Sequence, residues 1–412
     1  MRRRAVFIFY VIQAVSAFGF ALIFTTNLIY QAEVVGLNPL QLVLVGTTLE
    51  VTAFLFEIPT GVVADLYSRR LSVIIGYLLV GVGFLVEGSL PFFWAILLNQ
   101  VIWGIGITFT SGALEAWIAD ETDPTALGPI LLRGSQLGSV AGILGTLLSG
   151  ALGSIALALP VVSGGAIFIL LSAALVAAMP ETGFAPTPRE AHSSLTSMAQ
   201  TTRAAMRVVR LRPILIVFLL IASVIGAHSE GFDRLWREHL MENFTFPSIG
   251  GWQPIVWFSL IALANHALSI AAAEVVRRRV KTDDQAAVAR AVKTFYGGMA
   301  AALIMFGLSD SFLLALVAYL ASQTLRSISE PLMNTWTNQH IDSRVRATVI
   351  SSLHQFDAIG QFVGGPAVGL VGLRVGLRAA LALTGVILAP VVWLVAQASR
   401  LSGEEPEAAA DD

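Results

Sequence analysis

The sequence predicts an all-α integral membrane protein with twelve transmembrane helices arranged as two six-helix, pseudo-symmetric bundles. Three observations carry that prediction. Hydrophobic residues make up 56% of the 412 residues and charged residues only 13%, against soluble averages of about 45–50% and about 25%. Long apolar runs recur along the chain, and the basic residues cluster between them on one expected side. A soluble core cannot absorb that much apolar surface under a wettable exterior. The absence of Cys argues against a disulfide scaffold, and the apolar content argues against disorder.

A spanning helix needs about 20 predominantly apolar residues. Such runs lie at about 5–30, 40–63, 71–90, 92–119, 129–153 and 156–179, then at 213–232, 252–275, 290–308, 311–338, 347–372 and 376–398. The first follows Arg2-Arg3-Arg4 and is too long for the core of a secretion signal. With a cytoplasmic N-terminus, 20 of the 25 basic residues fall on or near the inner side and four fall outside, with Arg326 inside a span. That asymmetry follows the positive-inside rule and puts both termini in the cytoplasm, in an inner (plasma) membrane. Domains are therefore expected at 1–179 and 213–399, joined by a polar linker at 180–212. Within the linker Leu195, Met198, Thr202, Met206 and Val209 keep a helical spacing opposite Arg203, Arg207 and Arg210, as in a surface-lying amphipathic helix. The acidic tail, 400–412, reads as disordered.

The halves repeat one another. An offset of 219 superposes Trp117 on Trp336, Gln136 on Gln355, Gly145 on Gly364, Gly150 on Gly369 and Gly153 on Gly372. Duplicated halves are a signature of secondary transporters, whose substrate sites lie where the repeats meet.

Spans 2 and 3 are joined by Gly61-Val62-Val63-Ala64-Asp65-Leu66-Tyr67-Ser68-Arg69-Arg70. This resembles the signature loop of the major facilitator superfamily, G-x-x-x-D-x-x-G-R-R, with Ser68 where the family usually has Gly. The resemblance, with twelve spans and a basic central linker, covers nearly the whole chain. It implies a cytoplasmic latch: Gly61 for close helix contact, Asp65 docking near Thr348, and Arg69 or Arg70 pairing with Asp120 at the inner end of span 4. The bland alternative is loop anchoring by the arginines alone, which leaves the spacing of Asp65 unexplained.

Small residues let helix backbones approach in lipid. Span 5 carries Gly134, Gly138 and Gly142; span 11 carries Gly360, Gly364, Gly365, Pro366 and Gly369. The second set resembles the G-x-x-x-G-G-P-x-x-G pattern that the family's exporters place in span 5, here displaced to the other half. Close packing with a hinge accounts for both sets.

Ionisable groups inside a membrane are costly and functional by default. Glu50 and Glu57, seven apart on span 2, share a face; Glu115 lies in span 4, and Asp357 in span 11 beside His354. These four are the proton-coupling candidates, with helix packing as the alternative role. Arg326 and Glu330, four apart, read as a structural pair. Polar groups within spans nominate Gln13, Asn27, Gln100, His266, Asn334, Trp336 and Gln355 for the substrate cavity. The family's proton-driven exporters usually carry an Arg where Gln100 stands, so the common antiport arrangement is incomplete. Ser229 to Leu240, dense in charge at i,i+4 spacing, reads as an outer cap or gate to span 7. Together with Glu57-Ile58-Pro59-Thr60-Gly61 and Glu115-Ala116-Trp117-Ile118-Ala119-Asp120, it looks like the tetracycline- and macrolide-efflux branch.

No phosphate-binding G-x-x-x-x-G-K-[ST] and no H-E-x-x-H occurs, so neither ATP nor a catalytic zinc is expected. The expected protein is a monomeric alternating-access exporter of drug-like molecules, needing no cofactor, no metal and no nucleic acid, and driven by the proton gradient. A siderophore or sugar transporter of the same fold is the alternative. An intramembrane enzyme or a transport-like receptor would need a convergent catalytic set or a large extramembrane domain, and the sequence displays neither.

Overall fold

A computed structural model describes residues 2–184, 213–247, 254–281, 284–341 and 346–408. Every regular element among these residues is helical. Twelve helices are long and apolar enough to cross a membrane, the architecture the composition demanded. Lipid offers backbone groups no hydrogen-bond partners, so helices that satisfy themselves are the available solution. The expected amphipathic linker helix and the surroundings of Thr348 lie outside the described residues.

The first six spans comprise α1 (Arg2–Ile29) with a π turn (Tyr30–Val34), α2 (Pro39–Leu66), α3 (Arg69–Ser89), α4 (Phe93–Thr110) continuing as α5 (Ala113–Glu121), α6 (Pro124–Gly153) and α7 (Ala158–Ala178). The second six comprise α8 (Pro213–Asn243), α9 (Pro254–Arg279), α10 (Gln285–Leu308), α11 (Phe312–Gln339), α12 (Arg346–Arg374), and α13 (Leu377–Leu388) followed by α14 (Pro390–Ala408).

Several ends differ from expectation, each for a local reason. Span 4 breaks at Ser111-Gly112 because Gly112 takes φ +71°, a conformation that suits a residue without Cβ. Span 12 is interrupted at Ala389, before Pro390, whose ring cannot donate to the ladder. The tail does not unravel after Arg400: α14 runs on to Ala408, because Glu and Ala continue a helix already nucleated. Span 7 does not stop near residue 232 either. It stays helical to Asn243 through its charged segment, so that segment belongs to the span rather than forming a separate cap.

Two compact units divide the chain, Met1–Ser193 with Gly250–Ser259, and Ser194–Ile249 with Leu260–Asp412. In the first, α6 packs on α1 through its glycines. A Cβ at Gly134 would meet Phe9 at 2.6 Å, one at Gly138 the Gln13 carbonyl at 3.3 Å, and one at Gly145 the Phe18 carbonyl. Leu132, Val140, Ile143 and Leu147 stay exposed on another face of α6, as a lipid-facing stripe should. The second unit repeats the device. Cβ atoms at Gly360 and Gly364 on α12 would strike the carbonyls of Ser223 and Ala227 on α8. Repeat-related residues also share environments: Trp117 and Trp336 are both 1% exposed, and Gln136 and Gln355 are both exposed.

Candidate functional site

The close α8–α12 contact builds a site in the second unit. Gly226 on α8 sits so near the backbone of Asp357 on α12 that any Cβ there would overlap the Asp357 carbonyl. Asp357 is thereby held one turn before Gly360, and Gln361 donates to its carboxylate at 2.7 Å. Beside it opens a cavity of about 240 Å³ walled by α8, α10, α11 and α12. Phe218, Ile221, Met299 and Met333 form its apolar wall, and His228, Arg326, Glu330, His354 and Asp357 its ionic one.

Arg326 is the central cation of that wall. One of its terminal nitrogens donates to both carboxylate oxygens of Asp233, at 2.7 and 3.0 Å. The expected partner Glu330 lies four residues away on the same helix, but the hydrogen bonds go across to α8, which carries Asp233. Asp233 is thereby tied to the cavity's ionic wall through Arg326. The neighbouring pair is local as expected: Arg234 donates to Glu230 at 2.8 Å. His228 is 1% exposed and its Nδ1 lies 2.5 Å from the Ile225 carbonyl, which orients the ring within α8. The cavity lining thus combines one guanidinium, two carboxylates and two imidazoles with sulfur and aromatic surface, and suits an amphipathic solute with an ionised group.

The residues nominated for the substrate cavity divide. Asn334 lines it. Trp336 does not: it is buried in the packing of the unit, edge-on to Phe218 and His340. Its indole is too large and apolar to leave that core. Gln355 and His266 are exposed and outside the lining. Gln13 packs beneath Gly134 and Gly138, while Asn27 and Gln100 are buried in the first unit, at 3% and 1% exposure. Of the proton-coupling candidates, Asp357 lines the cavity, Glu57 and Glu115 are exposed, and Glu50 is half-buried on α2.

At the loop between α2 and α3, Arg69 donates to the Asp120 carboxylate and to the Ala116 carbonyl at 2.9 Å. Arg70 instead reaches the Val176 carbonyl at 2.5 Å. Ser68 caps α3 by accepting from the Leu71 N–H at 2.9 Å, and its hydroxyl donates to Glu181 at 2.6 Å. Glu121 accepts from the Thr182 hydroxyl at 2.7 Å and the Gly183 N–H at 2.8 Å. Residues 181–183 are thus strapped to the loop and to the end of α5. Gly61, expected at a close helix contact, has open space: an added Cβ would meet no atom within 4 Å. The resemblance to the signature loop points to Arg69 with Asp120, whereas helical spacing pairs residues within one helix. Neither gives a signal for Glu181 or Asp233, whose partners lie more than 90 residues away.

Comparison with known proteins agrees with this architecture. The chain matches the family model described as the Major Facilitator Superfamily over residues 9–365. A Bacillus subtilis (strain 168) protein described as the uncharacterized MFS-type transporter YxaM is 22% identical over 367 residues, 86% of each chain. A solved bacterial homolog of the human lysosomal transporter Spinster, inward-facing and unoccupied, is similar with a TM-score of 0.73 at 16% identity, over 97% of both chains. The nucleoside transporter NupG is similar with a TM-score of 0.73 at 12% identity, over 96% of this chain and 98% of that one. At such identities the structural likeness establishes a common fold.

Proposed function

The chain belongs to the Major Facilitator Superfamily, and we propose that within it the protein is a proton-coupled exporter of an amphipathic small molecule. That it is a membrane transporter rather than an enzyme follows from the family and its relatives. The further reading rests on one observation, the cavity whose apolar wall faces Arg326, Glu330, His354 and Asp357. A methionine- and aromatic-lined wall accommodates varied apolar shapes, while the ionic wall orients a charged group. Asp357 carries the coupling proton. Adding a proton there removes a charge that would otherwise be buried as the cavity closes, which lowers the cost of the crossing step. Alternating access then carries solute and proton at different stages of one cycle. The Arg69–Asp120 pair ties the α2–α3 loop to the end of α5 and acts as the latch, on a side that the basic-residue asymmetry assigns to the cytoplasm. Outward direction is supported by the short motifs shared with the efflux branch.

A polar metabolite is the second reading, favoured by the density of charge on the cavity wall. Proteoliposomes under an imposed pH gradient separate the two when loaded with a lipophilic fluorescent cation or with a radiolabelled zwitterionic metabolite. Asp357→Asn is expected to abolish gradient-driven accumulation and retain substrate exchange. Accumulation by Asp357→Asn at the wild-type level would overturn the coupling assignment.

A further inference from the structure

The charges around the cavity do not cancel. Arg326 is the guanidinium of the lining, and the carboxylates within its electrostatic reach are Asp233, Glu330 and Asp357. Imidazoles are ordinarily neutral above about pH 6.5, so one cation stands against three carboxylates. A single imidazolium, at His354 or at His228, would not reverse the sign. Arg326 and Asp233 face one another through two hydrogen bonds and neutralise each other. Asp357 accepts from Gln361 at 2.7 Å and has the coupling role given above. With the coupling proton in place, the excess is the one charge of Glu330.

Glu330 also differs from its neighbours in having no fixed partner. Among the described residues it makes no ion pair and no side-chain hydrogen bond, and it lines the cavity as an exposed side chain of α11. Arg326 stands one turn earlier on the same face of that helix. Attraction between the two draws the carboxylate along the cavity wall, while the hydrogen bonds of the guanidinium go to Asp233 on α8. Glu330 is thus held near the cavity without being consumed by a partner.

The apolar wall favours the same sign of solute. Phe218, Tyr296, Met299 and Met333 lie in the lining. Aromatic rings carry negative charge on their faces and thioethers are polarizable, so both accept a cation beside apolar surface. An anionic solute would instead meet Glu330 and Asp357 as like charges, and such repulsion grows where water is excluded.

We propose that the solute is an amphipathic organic cation and that Glu330 is the counter-charge that selects it. The proposal rests on the reading of this cavity as the transport site and names the class of molecule it takes. The cationic group lies at Glu330, and the apolar remainder lies against the methionine and aromatic wall. A carboxylate without a fixed partner can follow cationic groups of different shape, as an amphipathic series requires.

Full-length protein in lipid nanodiscs is dialysed at neutral pH against two fluorescent probes of opposite charge. Naphthylmethyl-trimethylammonium and naphthylmethanesulfonate share one skeleton and carry tetrahedral heads of similar size; protein-free nanodiscs correct for uptake by lipid. The cation is expected to bind saturably, and the sulfonate at least about tenfold more weakly. Glu330→Gln weakens cation binding about tenfold, the factor for losing one interaction with a charged group, and leaves sulfonate binding no weaker. Glu330→Asp, which keeps the charge, restores most of the cation affinity. The proposal is overturned by sulfonate binding as tight as that of the cation, or by the absence of saturable cation binding. Unchanged cation affinity in Glu330→Gln, or a loss shared equally by both probes, overturns it too. The comparison of the two probes uses wild-type protein, so it decides even if the variant does not fold. Equilibrium binding needs neither a gradient nor a direction, so the coupling and export assignments stand or fall separately, on the Asp357→Asn flux measurement.

Discussion

Replacing Asp233 by Asn tests whether the cavity's ion pair serves transport or only packing. Asn keeps the size and one acceptor oxygen but removes the charge facing Arg326, which donates to it at 2.7 and 3.0 Å. Hydrogen bonds to charged groups contribute about 1.5–3 kcal/mol. The side chains of Arg326 and Asp233 are 34% and 43% exposed, so screening reduces the contribution to about 1–1.5 kcal/mol. The expected cost of Asp233→Asn is thus a fall of about 2–4 °C in the unfolding midpoint. If Arg326 is oriented by Asp233 for the solute, KM rises about five- to tenfold as well. The double variant Asp233→Asn with Arg326→Met separates the roles. Removing both partners leaves no guanidinium without its carboxylate, so stability returns toward wild type, but transport does not. Proteoliposome flux and thermal unfolding measured on the same preparations decide the matter. Recovery of flux together with stability in the double variant would refute the assignment of this cavity as the transport site.

Glycine substitutions should sort by the space around them. Gly364→Ala forces a Cβ into the Ala227 backbone and should cost about 1–3 kcal/mol, read as a lowered unfolding midpoint. Gly61→Ala meets no atom within 4 Å and should gain about 0.5–1 kcal/mol from helix propensity; slower transport in that more stable variant would show that another conformation packs there. Ser68→Gly restores the residue usual in the family's loop but removes the cap on Leu71 N–H and the donor to Glu181. It should lose about 1 kcal/mol, a few tenths from the cap and the rest from the hydrogen bond to Glu181, and an unchanged midpoint would mean the strap contributes nothing.

The readable parts of this protein are those that depend on local chemistry. Composition alone required helices of membrane-spanning length, and twelve are present among the described residues. Glycine spacing located the faces that pack in each unit, since a missing Cβ acts wherever it stands. Positions within the candidate site were harder. Reading i,i+4 spacing placed Arg326 with Glu330, because that rule sees one helix at a time; its hydrogen-bond partner Asp233 lies 93 residues earlier. Trp336 is nominated for the cavity by the polar N–H it carries within a span, yet its large apolar ring sends the indole into the core, where it is 1% exposed.

The sequence by itself determined the solvent, the number of spans and the family, because lipid admits few ways to satisfy a backbone and charge is scarce enough to mark its own place. Only the tertiary structure decided which of the intramembrane charges meet. That Asp233 meets Arg326 across two helices, and that the Asp357 backbone lies against Gly226, depends on how closely those helices approach. Backbone approach of that kind depends on the shapes of two helices together, and no single stretch of sequence contains it.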